Sequence, residues 1–417
     1  MKPDKPIIQS LLDLDLYKLT MLQWIFHRYP NIQVRFGFMN RTKQISLPHF
    51  VDESALREEL DHAHTLQFTK NDLKYIASIK ADGVPIFTDE KFVSFLREFQ
   101  LPPYELEVVG GQFRLEFPGQ WQYATLWETI ALAIVNELYM RFFLNLMDTD
   151  MRKTVYKTGR DRLMEKTKIL REHPNIRFIE FATRRRASRE WQSEEVGILA
   201  KEVPTQLLGT SNVELAHEHG IQAKGTMAHE LFMVMAAHAH ATIGTPEAIR
   251  VSHNNVLDEW WDEYGEPLSI ALPDTFGTDF AFSTMTEQHA RLWKGQRQDS
   301  GIPTVFIDKQ IAFYERHGVD PKEKIAFPSD GLTISKILAI DSFIGNRIKS
   351  GYGWGTNLSN DRGFQALSLV VKATMSSGIH TVKLSDNVAK ATGPKDMVEF
   401  YKSVFGYTST FEEGCVY

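Results

Sequence analysis

The chain has 417 residues, 43% of them hydrophobic and 24% charged, which excludes an intrinsically disordered protein and suffices for about two domain-sized cores. Its formal net charge of −6 excludes a broad basic surface of the kind that binds nucleic acid, so any anionic ligand must be met by local groups. One cysteine (Cys415) excludes an intrachain disulfide, residues 1–9 lack the apolar core of a signal peptide, and no apolar run approaches the ~20 residues of a membrane span. A cytoplasmic protein is expected.

Taken in chain order, residues 32–41 alternate as a half-buried strand does. Residues 103–117 read as two alternating runs joined by Gly110-Gly111, a hairpin signal because the tight turn needs positive φ at both positions. Thr125 and Glu128 have capping-box spacing, and apolar residues at steps of four predict a helix over 125–143. Residues 148–173 are charged and helical in propensity. From 176 onward short apolar runs recur at 177–181, 206–208, 221–223, 269–272, 325–327 and 347–350, each followed by a polar or glycine-rich turn and a helix-like stretch. Alternating βα units predict a parallel sheet, and six or more favour an irregular or incomplete (β/α) barrel with its chemistry at the C-terminal strand ends. A second hairpin is expected around residues 375–378, so that an α+β domain with antiparallel sheet draws on both chain ends. The expected division is 1–145 with 365–417 as that domain and 146–364 as the barrel.

The polar signals fall at the strand ends. Gly353-Trp354-Gly355-Thr356 is either a tight turn or a backbone cradle for phosphate, and Ser329-Asp330-Gly331 on the preceding strand end favours the cradle. Arg297 and Asp299, two apart in an extended segment, face the same way; the pair suits pyrophosphate and ribose hydroxyls, or is a surface ion pair. Asp274 either stands near positive charge developing on a sugar, holds a Mg²⁺-bound phosphate, or caps a helix. His229 is a candidate proton shuttle or phosphoryl acceptor, though most of the 14 histidines must be surface or packing residues. His217 with His219 and His238 with His240 lie two apart, a poor spacing for helical metal pairs. Of the arginines after Phe181, one or two can point inward to an anion, and Phe181 itself could stack on a planar heterocycle or lie in the core.

LLDLDLYKLTM near the start, then FATRRRASRE, LLGTSN, GTMAHE, RQDSG, SDG and GWGT, resemble in this order the nicotinate phosphoribosyltransferase family of type II phosphoribosyltransferases. The resemblance covers most of the chain. It implies that nicotinate and phosphoribosyl pyrophosphate give nicotinate mononucleotide and pyrophosphate, in NAD salvage, in a homodimer with shared sites. It places Tyr17 of a partner subunit and Phe181 about the pyridine, Arg184 at the nicotinate carboxylate, and Arg297, Asp299 and Asp274 at ribose and pyrophosphate. Asp330, Gly355 and Thr356 would take the 5′-phosphate, and ATP would phosphorylate His229, with Mg²⁺ on the pyrophosphate and no metal ligands assigned. Neutral Ser211 stands where nicotinamide-using relatives carry an aspartate, which favours the acid as substrate. Ala182 and Ile302 stand where the family has Gly and Asp, Tyr352 where it has Phe, and Gly331 where it has Asn. The rival expectations are a nicotinamide phosphoribosyltransferase and a barrel phosphosugar enzyme such as an aldolase, for which Lys224 is the lysine candidate.

Overall fold

The computed structural model describes residues 5–414; residues 1–4 and Cys415, which carry part of the compartment expectation, lie outside them. In chain order the strands that position the site begin with β1 (Gln33–Asn40), β2 (Glu105–Val109), β3 (Gln112–Gln120), β4 (Phe178–Glu180), β5 (Leu207–Thr210) and β6 (Ile270–Ala271). They continue with β7 (Gly295–Gln298), β8 (Ile325–Pro328), β9 (Lys349–Ser350), β10 (Tyr352–Trp354), β11 (Leu369–Ser376) and β12 (Ile379–His380).

The antiparallel sheet runs β12-β11-β1-β3-β2 and so draws on both chain ends. β2 and β3 form the expected hairpin, with Gly110 and Gly111 at φ +58° and +74°. The second hairpin is shorter than expected. β11 continues to Ser376, the turn is Ser377-Gly378, and β12 ends after two residues. Beyond it the chain leaves this sheet, and the amides of Leu384 and Ser385 bond to the carbonyl of Thr275 at 2.8 and 3.2 Å. That departure carries Lys383 towards the parallel strands.

The parallel strands form two sheets, β9-β8-β7-β6 and β10-β4-β5, where the sequence suggested one barrel. Residues 349–354 serve both. Lys349 and Ser350 pair with β8, Gly351 donates its N–H to Ala326, and Tyr352 to Trp354 pair with β4. The run at 221–223 makes only an isolated bridge, Ala223 to Thr210. Helices join the parallel neighbours, among them Arg189–Glu202 between β4 and β5 and Pro303–Arg316 between β7 and β8. The molecule is an α/β protein with a separate antiparallel sheet.

The helix expected at 125–143 runs Trp127–Asn145, but its capping box does not form. Thr125 donates instead to Glu230 Oε1 at 2.7 Å, while Glu128 pairs with Lys18 at 2.8 Å and Lys372 at 3.1 Å. All of Trp127 to Glu137 is buried, so a first-turn carboxylate here meets buried cations rather than backbone amides. The charged segment forms the helix Thr149–Glu172, capped by Asp148. Among the described residues no helix is long and apolar enough to cross a membrane.

Candidate active site

Two alternating motifs meet at the C-terminal end of β4. Asp13 and Asp15 lie two apart, as do Arg184 and Arg186. Arg186 grips Asp13 bidentately, Nη1 to Oδ1 at 2.6 Å and Nη2 to Oδ2 at 2.7 Å, with both side chains fully buried. Arg184 donates Nε–H to Asp15 Oδ2 at 3.0 Å and covers the ring of Tyr17 at 5.2 Å. Burial would raise the carboxyl of Asp13, but Arg186 outweighs it and holds the group below its usual range. Asp13→Ala leaves Arg186 charged and unpaired in the core. It should cost about 3–5 kcal/mol in denaturant unfolding, and a loss under about 1 kcal/mol would contradict that reading.

A cleft opens above the parallel strand ends. Its lining includes Phe181, Arg184, His229, Arg297, Asp299, Asp330, Gly355 and Thr356. Seven cationic side chains line it against two carboxylates, in a chain of net charge −6. Arg41, Arg185, Lys372, Lys383 and Lys390, all in that lining, were not singled out for this role by the sequence reading. Arg185, beside Arg184 on the short 3-10 turn Thr183–Arg185, donates from Nη1 to the Leu367 carbonyl at 3.1 Å. Arg297 and Asp299 both reach the cleft, as residues two apart on an extended segment do. Burial would raise the Asp299 carboxyl, but Arg297 first, then His229 and Lys383, hold it far below its usual range.

His229 opens the helix His229–Thr242, and its neighbour Glu230 anchors that end by accepting from Trp121 at 2.6 Å, Thr125 at 2.7 Å and Lys18 at 2.5 Å. Gly225, just upstream, lies so close to Tyr17 that a Cβ there would stand 2.9 Å from the Tyr17 amide nitrogen. The opening motif and the GTMAHE segment are therefore locked together. His229 Nε2 lies 2.8 Å from Asp274 Oδ1 and 3.7 Å from Asp299 Oδ2. Burial, helped by Lys383, lowers the imidazole to about 4 against the pull of Asp274. Asp274 is fully buried, which alone would raise it; His229 and Lys383 hold it well below its usual range. An ionised carboxylate only accepts, so the proton of this bond belongs to Nε2 and the lone pair to Nδ1.

At the other end, β10 packs against β4 so tightly that a Cβ on Gly353 would stand 2.8 Å from the Phe181 ring. The helix Thr356–Ser359 follows at once; the amides of Leu358 and Ser359 bond to the Gly355 carbonyl at 2.9 and 3.4 Å, while those of Thr356 and Asn357, at its first two positions, have no intrahelical acceptor. Lys166 braces this turn from behind, donating to the carbonyls of Asn357 at 2.7 Å and Leu358 at 3.1 Å. Lys390 pairs with Asp330 at 2.5 Å.

Three expected site residues stand outside the lining. Tyr17 is 5% exposed, donates to Glu128 at 3.1 Å, and lies beneath Arg184 of its own chain, so it does not face Phe181 across the cleft. Ser211 donates to Asp15 Oδ1 at 2.6 Å and touches Arg184 only through that carboxylate. Asp274 acts behind His229. Lys224, the aldolase candidate, lines a separate apolar cavity that shares only Phe181 and Arg297 with the cleft. His217 stacks on Tyr75 and His238 meets Ser377, and the described residues contain no group of three or more His, Cys, Asp and Glu suited to a metal ion.

A family model, the nicotinate phosphoribosyltransferase (NAPRTase) family, matches residues 176–409, and the model of its N-terminal domain matches residues 12–136. The chain belongs to the nicotinate phosphoribosyltransferase family. The crystal structure of nicotinate phosphoribosyltransferase from Porphyromonas gingivalis is 30% identical, covering 96% of this chain and all of that one, with a TM-score of 0.84. That from Vibrio cholerae is also 30% identical, covering 98% and 95%, with a TM-score of 0.86. Two departures from the family pattern now have a physical reading. Ala182 sits at φ −90°, ψ −9°, a conformation open to any L-residue, so no glycine is required there. Ile302 is the N-cap of the helix Pro303–Arg316, 47% exposed and outside the cleft lining; an aspartate there would cap the helix.

Proposed function

We propose that this chain transfers the phosphoribosyl group of phosphoribosyl pyrophosphate onto nicotinate. The observation that carries the reading is the cleft itself, where seven cations, two carboxylates and open backbone amides surround one aromatic face. The 5′-phosphate would lie at Gly355, Thr356 and Asp330, the pyrophosphate at Arg297 and the lysines, and ribose hydroxyls at Asp299. The pyridine nitrogen attacks the anomeric carbon; the bond from that carbon to the pyrophosphate oxygen breaks, and pyrophosphate leaves with the electron pair. The transition state is oxocarbenium-like, so fixed charges and positioning do most of the work. Phe181 offers its ring to the pyridine, and Arg184 meets the carboxylate, held by Asp15 and Glu128. That cation favours nicotinate over nicotinamide.

His229 is proposed to take the γ-phosphoryl group of ATP. Nδ1 attacks phosphorus, the bond to the ADP oxygen breaks, and water later hydrolyses the phosphoramidate. Only Asp299 and Asp330 offer carboxylates in the lining, too few for a protein cage; they fit a Mg²⁺ carried on pyrophosphate, where it would neutralise the leaving group. A homodimer with shared sites belongs to the proposal, because Phe181 is the one Phe, Tyr or Trp ring in the described lining and a second copy would cover the other pyridine face. So do a cytoplasmic setting and the expected division, with 146–364 curling as an incomplete barrel. The aldolase reading loses its lysine to the other cavity. Calorimetric titration with phosphoribosyl pyrophosphate tests the binding assignment. Arg297→Ala should weaken it by about ten- to a hundredfold, and unchanged affinity would remove Arg297 from the site.

A further inference from the structure

Ser300 follows the cleft residue Asp299 but lies outside the cleft lining, 1% exposed. Its hydroxyl oxygen accepts the backbone N–H of Asp386 at 3.0 Å and stands 2.5 Å from Asp274 Oδ2. A hydroxyl has a single proton. With the Asp386 amide occupying one of its lone pairs, that proton is directed at Asp274. The amide is itself fixed, since Asp386 Oδ1 accepts from the Thr278 amide at 2.7 Å and Oδ2 from the Thr278 hydroxyl. Gly301 permits the approach: at φ +76°, a Cβ there would stand 3.0 Å from that of Asp386. Asp274 is thus held on one oxygen by Ser300, with Lys383 3.6 Å away on the same side, and presents the other to His229.

We infer that Ser300 is a positioning residue: oriented by the Asp386 amide, it fixes the Asp274 carboxylate and through it keeps the proton of His229 on Nε2, leaving Nδ1 as the nucleophile. The geometric part stands on its own; its catalytic consequence rests on the proposed phosphorylation of His229. Sequence alone offered no sign of this, because the donor to Ser300 comes from a segment 86 residues away.

The test uses the full chain labelled with ¹⁵N-histidine, with His229 assigned by a His229→Asn variant. In the wild type Nε2 should give the shift of a protonated nitrogen and Nδ1 that of an unprotonated one. In Ser300→Ala both should move towards a mixture of tautomers. Ser300→Cys, a near-isosteric weaker donor, should fall between and serves if the alanine variant fails to fold. Phosphate incorporation from saturating ATP should fall about ten- to a hundredfold in Ser300→Ala with KM for ATP unchanged. Wild-type tautomer and rate in both variants would overturn the inference. A wild type that shows the Nε2–H tautomer but takes no phosphate from ATP would defeat the phosphohistidine reading while leaving the positioning role to the tautomer shifts.

Discussion

His229→Ala is expected to lower nicotinate-linked ATP hydrolysis by more than about a thousandfold, to background, while the folded protein still binds phosphoribosyl pyrophosphate. The imidazole is neutral because burial and Lys383 lower it to about 4, below its ordinary value, despite two nearby carboxylates. It becomes protonated only as pH falls through about 4. Its own titration should therefore leave the ATP reaction unaffected between pH 8 and pH 5. Stability behaves differently. The unfolded histidine titrates near 6.5, so between about 6.5 and 4 the unfolded state binds more protons and stability falls as pH drops. His253, also lowered to about 4 by burial, adds to the same slope. Denaturant unfolding at pH 7 and pH 5 should show the loss; an acid limb of ATP turnover centred near 6.5 would contradict the neutral, buried nucleophile.

Ser211→Asp should lower kcat/KM for nicotinate by about a hundredfold or more and shift the ratio of nicotinate to nicotinamide use towards the amide. The structure sharpens the reason. Ser211 donates to Asp15, and Asp15 holds Arg184, so a carboxylate at 211 would stand within contact of one already buried. Arg184 would then answer two carboxylates from below and have less charge for the ligand above. The side chain at 211 thus reads the substrate through an arginine rather than by touching it. An unchanged ratio of kcat/KM for the two pyridines would count against this account.

Much of the site was legible in the residues because turns at strand ends are written in local chemistry. The Gly355-Thr356 step, the Ser329-Asp330 step and the Arg297-Asp299 pair all reach one cleft from separate stretches of sequence. β7 was harder to see. Gly295–Gln298 is a buried strand made of glycine, glutamine and arginine, so no apolar rhythm marks it; its place comes from parallel pairing with Ile325 to Pro328. Thr125 and Glu128 misled in the opposite sense, since capping-box spacing also suits two side chains that answer Lys18, Lys372 and Glu230. Lys372, Lys383 and Lys390 carry no motif at all. They enter the cleft because β11 returns to pair with β1 and the chain then turns to Thr275. Such long-range pairings are set by tertiary packing, which local spacing does not encode.

The most direct measurement is nucleotide formation by the purified protein from phosphoribosyl pyrophosphate with nicotinate or nicotinamide, each with and without ATP and Mg²⁺. The account predicts nicotinate mononucleotide and pyrophosphate in equal amounts, strong preference for the acid, and turnover raised by ATP only where His229 is present. Equal use of the two pyridines, or ATP stimulation that survives His229→Ala, would contradict it.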